Sequence, residues 1–155
     1  MNHPITGLIK TLYLFISNRI KFDSSAINRV ILMPDGKSFT IFRRVRILAS
    51  SGTPDPSAYF LVRFKPQNMG IQENIKFSYI PMMIFMGFKG FRSKYWGVNY
   101  DTGLCQGLYE WQTLKDAENY SKSIAMKFMI KRSFHESIEY EIIDKEKASF
   151  RFTIQ

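Results

Sequence analysis

Residues 103–133 have the sequence GLCQGLYEWQTLKDAENYSKSIAMKFMIKRS, and this stretch decides the fold. Leu104 to Trp111 is rich in aromatic and aliphatic residues and predicts a β-strand. Thr113 follows as an N-cap residue, and Asp116 places a negative charge in the first turn of a helix. Apolar side chains then recur at helical spacing, at Ala117, Tyr120, Ile124, Ala125 and Phe128. The stretch therefore predicts a strand followed by an amphipathic helix that packs on a sheet.

The regions on either side of this stretch predict alternating strands and helices. Strands are predicted at Tyr59 to Lys65, Phe91 to Tyr100 and Glu136 to Ile143, with a further edge strand at Phe150 to Ile154 and a helix at Gln72 to Met86. Because Pro81 lies inside that helix, we expect a kink or a restart there. The order β-α-β-β-α-β predicts an α+β class with a ferredoxin-like antiparallel sheet and two helices on one face.

The second face of such a sheet carries large apolar side chains. In the strand from Phe91 to Tyr100, Trp96 and Val98 alternate with Phe91 and Tyr95, so neither face is polar throughout. An exposed apolar face of this extent is normally covered by a partner. The pattern therefore predicts a homodimer that pairs the two sheets.

Residues 1–57 form a predicted extension, and residues 58–155 form the predicted main domain. Met1 to Phe22 has an apolar stripe at helical spacing, which fits a helix packed on its own domain, a helix on an anionic membrane surface, or a disordered arm. Ile27 to Leu32 and Ser38 to Leu48 predict a β-hairpin around a Pro-Asp-Gly turn. Residues 49–57 form a linker-like segment.

The amino-acid composition limits the disulfides, metal sites and charged surfaces that the protein can form. The single cysteine, Cys105, excludes an internal disulfide and a multi-cysteine metal site, which favours a reducing, cytoplasmic compartment. His3 and His135 are far apart in sequence, so no metal site is predicted. The net charge of +9 is concentrated in residues 1–50, which hold eight Lys or Arg against two Asp. Arg44 and Arg46 interleave with Phe42 in the predicted hairpin, and the polar face of an ordinary strand explains them better than nucleic-acid binding does.

The run GFKGFRSKYWGVNYDTGLCQGLYEWQTLKDAENYSKS resembles the dimeric α/β-barrel superfamily, in particular the small monooxygenase-like proteins related to antibiotic-biosynthesis monooxygenases. The shared pattern is a Gly-Phe before the second strand, Lys94 and Trp96 on it, Gly107-x-Tyr109-x-Trp111, and a helix with Ala117 and Tyr120. The resemblance covers Ala58 to Asp144. It implies a dimeric barrel with one pocket per subunit between sheet and helices.

The same superfamily contains haem-degrading enzymes, oxygenases, isomerases and proteins without known activity. Haem-degrading members would need an axial histidine about ten residues after the aromatic residue that matches Tyr120. This chain has Ile130 there, and His135 lies too far along to replace it. The resemblance therefore implies no haem, and we expect no other cofactor.

The pocket residues follow from the resemblance, together with the side-chain chemistry. We expect Tyr120, His135 and Asn99 as the candidate catalytic groups, and Tyr109, Trp111, Trp96, Met82, Met86 and Arg63 as the candidate ligand-binding residues. Ordinary core packing is the alternative for the aromatic and methionine side chains, and helix capping is the alternative for His135. The predicted function is a cofactor-independent, monooxygenase-like protein that binds a small apolar or aromatic molecule. A non-catalytic binder and a membrane-peripheral interaction protein are the alternatives.

Overall fold

The computed structural model describes residues 3–153. The first two residues of the predicted N-terminal helix and Ile154 of the predicted edge strand lie outside this range. The helices are α1 (Pro4–Ile16), α2 (Ile71–Phe77), α3 (Tyr79–Phe85), α4 (Leu114–Ser121) and α5 (Ile124–Lys131). The strands are β1 (Ile20–Phe22), β2 (Val30–Leu32), β3 (Ser38–Ile47), β4 (Ala58–Phe64), β5 (Phe91–Val98), β6 (Cys105–Trp111), β7 (Glu139–Asp144) and β8 (Arg151–Thr153).

The helix predicted after Trp111 is present but divided in two. The Thr113 hydroxyl accepts a hydrogen bond from the Asp116 amide at 3.1 Å, so the predicted N-cap is confirmed. The helix ends at Ser121, and a second helix begins after Ser123, whose hydroxyl accepts from the Met126 amide at 3.3 Å. A single continuous helix was the wrong prediction, because Ser123 caps a new one.

The predicted interruption near Pro81 is also present, three residues earlier than the proline itself. α2 ends at Phe77, and α3 begins at Tyr79. Pro81 is therefore in the first turn of α3, where backbone amides have no partner within the helix and a missing N–H costs little. The break at Ser78 separates the two helices that cover the sheet.

Within residues 3–153, eight strands form one antiparallel sheet, in the order β7-β4-β6-β5-β3-β2-β8 with β1 also paired to β3. The central strands and their helices have the predicted β-α-β-β-α-β order, and the ferredoxin-like α+β fold is confirmed. The predicted hairpin is β2 and β3, and β3 pairs with β5 of the main domain. The N-terminal extension is therefore continuous with the sheet.

The second face of the sheet is covered from within the chain. The edge strands β7 and β8 are joined by residues 145–150, which can span about 25 Å at most. Seven strands in a row, laid flat, would put those edges about 29 Å apart. The sheet must therefore curl, and Leu61, Leu108 and Tyr95 of its middle strands pack on Ile31 and Phe39 of the hairpin.

This burial removes the observation on which the homodimer prediction rested. Leu108 is fully buried and Leu61 is 8% exposed without any second chain. Phe150, in the link between the edge strands, stacks edge-on against Tyr59 with ring centroids 4.9 Å apart. Dimerisation stays a prediction, but an uncovered sheet face no longer supports it.

Two irregularities in strand pairing change which side chains face the helices. The register of β3 against β5 shifts between Ile41 and Arg43, and the register of β5 against β6 shifts between Phe91 and Ser93. An extra residue in one strand reverses the alternation beyond it. Ile41 therefore faces the inside of the curled sheet while Val45 faces the helices, although strict alternation predicted one face for both.

Helix α1 docks on α3 with an unexpected face. The residues it buries are Gly7, Thr11 and Leu14, and a Cβ on Gly87 would overlap the Gly7 carbonyl, so the two backbones are in close contact. The predicted apolar stripe points outward, and Ile16 is 87% exposed. No helix within the described range is long and apolar enough to span a membrane.

Candidate functional site

A cavity lies between the helix-facing side of the sheet and helices α2, α3 and α5. Its volume is about 70 Å³. The lining is mostly apolar and includes Val62, Phe64, Phe85, Trp96, Met126 and Met129. A cavity that holds a benzene ring has a volume of about 150 Å³. An aromatic molecule would therefore need the rim side chains to move apart.

Three polar side chains form a connected chain in the wall of this cavity. The Lys94 Nζ donates to the Tyr109 hydroxyl at 2.6 Å, and the Tyr120 hydroxyl lies 2.7 Å from the same oxygen. Lys94 and Tyr109 come from the adjacent strands β5 and β6, where they are paired in register. Tyr120 comes from the buried face of α4. The sheet and the helix layer therefore meet at this hydrogen-bonded trio.

Lys94 has no carboxylate partner among the described residues. Its Nζ lies 4.2 Å from the Tyr109 ring centroid, 4.3 Å from that of Trp96 and 4.7 Å from that of Phe85. Desolvation lowers the pKa of Lys94 well below its usual range, and the nearby Arg43 cation lowers it further. Aromatic faces offset only part of this cost. Lys94 is therefore an amine that can accept a proton.

The pKa values of Tyr109 and Tyr120 are shifted upward, in the opposite direction to the pKa of Lys94. Burial raises the pKa of both the Tyr109 and the Tyr120 hydroxyl above the ordinary value, because a phenolate would be poorly solvated there. Both therefore stay protonated as hydrogen-bond donors at neutral pH. The cavity therefore combines an amine whose charged form is disfavoured by burial with two neutral hydroxyls, of which Tyr120 donates to Tyr109.

Cys105 lines the cavity without the features of a nucleophile. Burial raises the pKa of its thiol to about 12, and the Asn74 amide donates to the sulfur at 3.3 Å. A thiol with a raised pKa is mostly protonated at neutral pH and reacts slowly. This geometry is that of an inert buried thiol.

Arg43 lies next to the cavity, outside its lining, where it contacts α2 and the break before α3. Its guanidinium donates to the Ser78 hydroxyl at 2.6 Å and to the Ile75 carbonyl at 3.0 Å. It also stacks on Tyr79, with 3.6 Å from its central carbon to the ring centroid. Burial lowers the pKa of Arg43, although an arginine stays charged at any ordinary pH. This contact holds the helix break against β3.

The outer rim contains stacked aromatic and basic groups. Phe77 of α2 and Phe128 of α5 stack with centroids 5.9 Å apart, and the Arg132 guanidinium lies 4.2 Å from the Phe77 ring. Phe128 is 42% exposed, so this layer faces solvent. These three side chains line the solvent-facing part of the cavity.

Some of the predicted pocket residues line this cavity, and others are buried in the core behind its wall. Tyr109, Tyr120 and Trp96 line the cavity. Trp111 is fully buried one layer deeper, with its ring 5.0 Å from Tyr120. Met82 and Met86 are buried in the core, outside the cavity lining, and Met69, Met126 and Met129 contribute the thioethers that line it.

Three other predicted site residues lie elsewhere. Arg63 is on the opposite face of the sheet, where it donates to Gln106 and forms an ion pair with Asp35. The Asn99 side chain shapes the turn after β5 by accepting from the Asp101 and Thr102 amides. His135 is exposed in a short turn after α5. None of the three lines the cavity.

The sequence-derived list of site residues omitted Lys94 and Arg43. Lys94 belongs to the quoted resemblance and alternates with Trp96, which was the available signal for it. For Arg43 strict alternation gave no signal, because the bulge in β3 decides its direction. Within residues 3–153, no group of three or more His, Cys, Asp or Glu side chains is arranged to hold a metal ion.

Comparison with known proteins gives relatives by structure alone. No protein-family profile matches the chain, and no curated protein matches it by sequence. A ferredoxin-fold protein of Listeria monocytogenes, described as related to antibiotic biosynthesis monooxygenases, matches with a TM-score of 0.54 and 9% identity, over 69% of this chain and 63% of that one. The match therefore spans less than two-thirds of that protein.

A second match covers more of both chains. It is LmHde, a heme-degrading enzyme from Listeria monocytogenes, with a TM-score of 0.54 and 10% identity, over 86% of this chain and 91% of that one. The chain has the ferredoxin-like fold of these two proteins. An anthrone oxidase-like protein also matches, with a TM-score of 0.45 and 13% identity, over 68% of this chain and 51% of that one. At such identities the likeness defines the fold and leaves the chemistry to the site.

Proposed function

We propose that the protein binds a small, electron-rich apolar or aromatic molecule in the cavity between sheet and helices and oxygenates it without a cofactor. The observation that carries this proposal is the Lys94 amine, buried in a mostly apolar wall and held 2.6 Å from the Tyr109 hydroxyl, with no carboxylate partner among the described residues. Such an amine can remove a proton from an acidic C–H or O–H group of a bound molecule, because the ammonium and the anion that form lie next to each other and stabilise each other.

Proton removal makes the substrate able to react with oxygen directly. The carbanion or phenolate gives electrons to O₂, and the two hydroxyls of Tyr109 and Tyr120 donate hydrogen bonds to the reduced oxygen. For a methylene group the balance is CH₂ plus O₂ to C=O plus H₂O. The substrate supplies all four electrons, so no other reductant is needed.

Haem is a poor fit to this cavity, although one structural relative is named as a heme-degrading enzyme. No histidine lines the cavity, and its volume of about 70 Å³ is far below the 300–1,000 Å³ of sites for larger ligands. Ile130 stands where the resemblance calls for an axial histidine. The proposed reaction therefore takes no step through haem.

The first test uses 4-nitrophenol, whose phenolate absorbs visible light. At a pH where the free compound is mostly protonated, binding to the wild-type protein is expected to produce the phenolate spectrum, since Lys94 takes the proton. Lys94→Met should bind the compound without that change. Oxygen uptake with a panel of hydroxylated aromatic compounds then tests turnover. Phenolate formation without oxygen uptake would favour a non-catalytic binder, and identical spectra for both proteins would exclude Lys94 as the acceptor.

Tyr120→Phe tests the Tyr120 hydroxyl, which is the last member of the hydrogen-bonded trio of Lys94, Tyr109 and Tyr120. The ring contacts stay, including the edge-on contact with Phe60 at 5.0 Å, so we expect the loss of one hydrogen bond, about 0.5–1.5 kcal/mol of stability. Turnover should fall by a larger factor, about 10²-fold, if the hydroxyl stabilises reduced oxygen. Urea unfolding and oxygen uptake measure the two effects. Unchanged turnover would contradict a functional role for this hydroxyl.

A further inference from the structure

The outward face of α1 is the largest apolar feature that the cavity does not explain. At about 100° per residue, Ile5, Ile9, Leu12 and Ile16 point in nearly one direction, opposite the docked face of Gly7, Thr11 and Leu14. Their exposed fractions are 64%, 62%, 49% and 87%. The helix is therefore held to the protein by its small residues and presents its aliphatic ones to the outside.

Cations lie beside α1, along the edge where its docked side meets the rest of the protein. A surface depression of about 270 Å³ beside α1 is lined by Lys10, Arg19, Lys89 and Arg92, with Asp116 as its acidic side chain. Asp116 is engaged by the Thr113 hydroxyl at 2.7 Å. Between His3 and Phe22 the sequence has no Asp or Glu. The surroundings of the apolar face are therefore strongly positive.

We propose that this surface docks on an anionic phospholipid bilayer. The side chains of Ile5, Ile9 and Ile16 would enter the boundary between headgroups and acyl chains, and the flanking cations would contact the phosphates. A second copy of the chain suits this face less well. A symmetric pair would bring together two molecules that each have a net charge of +9, so like-charge repulsion would oppose it.

The test is co-sedimentation of the full chain with vesicles of phosphatidylcholine, with or without phosphatidylserine. We expect binding to the vesicles that contain phosphatidylserine, weakened by added salt. Ile9→Glu should lower the affinity by about tenfold or more, because it places a charge in the apolar contact. Ile124→Glu is the matched control, since Ile124 is 52% exposed on α5, and it should bind as the wild type does.

A second variant tests the charge contribution. Lys10→Gln should weaken binding to vesicles with phosphatidylserine and leave the circular dichroism spectrum unchanged, because Lys10 is exposed. The proposal is overturned by wild-type protein that binds neither vesicle, by equal binding to both, or by equal losses in Ile9→Glu and Ile124→Glu. A lipid-free dimer that Ile9→Glu converts to a monomer, without vesicle binding, would assign this face to a second copy instead.

Discussion

Lys94→Met is expected to remove a pH dependence of stability that the wild-type protein has between pH 7 and 9. In the unfolded chain Lys94 is an ordinary lysine with a pKa of about 10.4. In the folded protein burial lowers its pKa, so at any pH between the folded and the unfolded pKa the unfolded state binds more protons than the folded state. Wild-type stability should therefore rise with pH by about 1.4 kcal/mol per pH unit, wherever the pH exceeds the folded pKa.

The direction of this pH dependence follows from which state of the protein, folded or unfolded, holds the proton on Lys94. Stability falls as the pH drops below the unfolded pKa, and the loss stops once the pH passes below the folded pKa. Methionine has a similar length and no proton, so the difference in unfolding free energy between the two proteins isolates this contribution. Over two pH units that both lie between the folded and the unfolded pKa, it should change by about 2.7 kcal/mol, in favour of the wild type at the higher pH.

Urea unfolding at several pH values measures this difference. Tyr109 and Tyr120, whose pKa values are raised by burial, affect stability only at higher pH and are shared by both proteins. Lys122→Met is the control, because Lys122 is exposed in the folded protein. A difference that is flat from pH 7 to 9 would mean that Lys94 is charged in the fold, and the proposed proton acceptor would fail with it.

Trp111→Ala is expected to destabilise the protein by about 3–5 kcal/mol, the largest effect of any single truncation proposed for this chain. Trp111 is fully buried, and its ring lies 5.6 Å from Phe91, 6.3 Å from Tyr109 and 5.0 Å from Tyr120. Removing it opens a void at the junction of β6, β5 and α4, and also removes the support behind the Tyr109–Tyr120 pair.

Trp111→Phe separates packing from polarity. The indole N–H has no hydrogen-bond acceptor within the described part of the chain, so phenylalanine removes an unsatisfied buried donor while it keeps a ring. We expect a loss of no more than about 1–2 kcal/mol. Tyr100→Ala, at a residue 52% exposed, should change the unfolding free energy by less than about 0.5 kcal/mol. Equal effects for Trp111→Ala and Trp111→Phe would show that the ring volume is not what stabilises this junction.

The sequence predicted the features that depend on a few neighbouring residues. The N-cap at Thr113, the hairpin around residues 33–37 and the strand from Cys105 to Trp111 all formed, because capping, turn chemistry and alternation act over four to eight residues. The order of these elements was enough to predict the ferredoxin-like α+β class. Tyr109, Tyr120 and Trp96 followed from the resemblance and line the same cavity.

Tertiary structure decided the features that depend on distant partners. A bulge exists only relative to the strand opposite, so alternation could not predict that Arg43 would face the helices. The pairing of β8 with β2 joins residues more than a hundred positions apart, and this pairing helps to cover the sheet face that the sequence left exposed.

The proposed role of Lys94 and the proposed membrane contact of α1 both depend on tertiary structure. Any lysine on a strand can be solvated, and it is burial among the rings of Phe85, Trp96 and Tyr109, with the Arg43 cation nearby, that lowers the pKa of Lys94. The apolar periodicity of α1 was clear from the sequence, but its direction was not. Close approach of Gly7 to Gly87 buries the small face of the helix, so backbone contact overrides the usual burial of the aliphatic side chains.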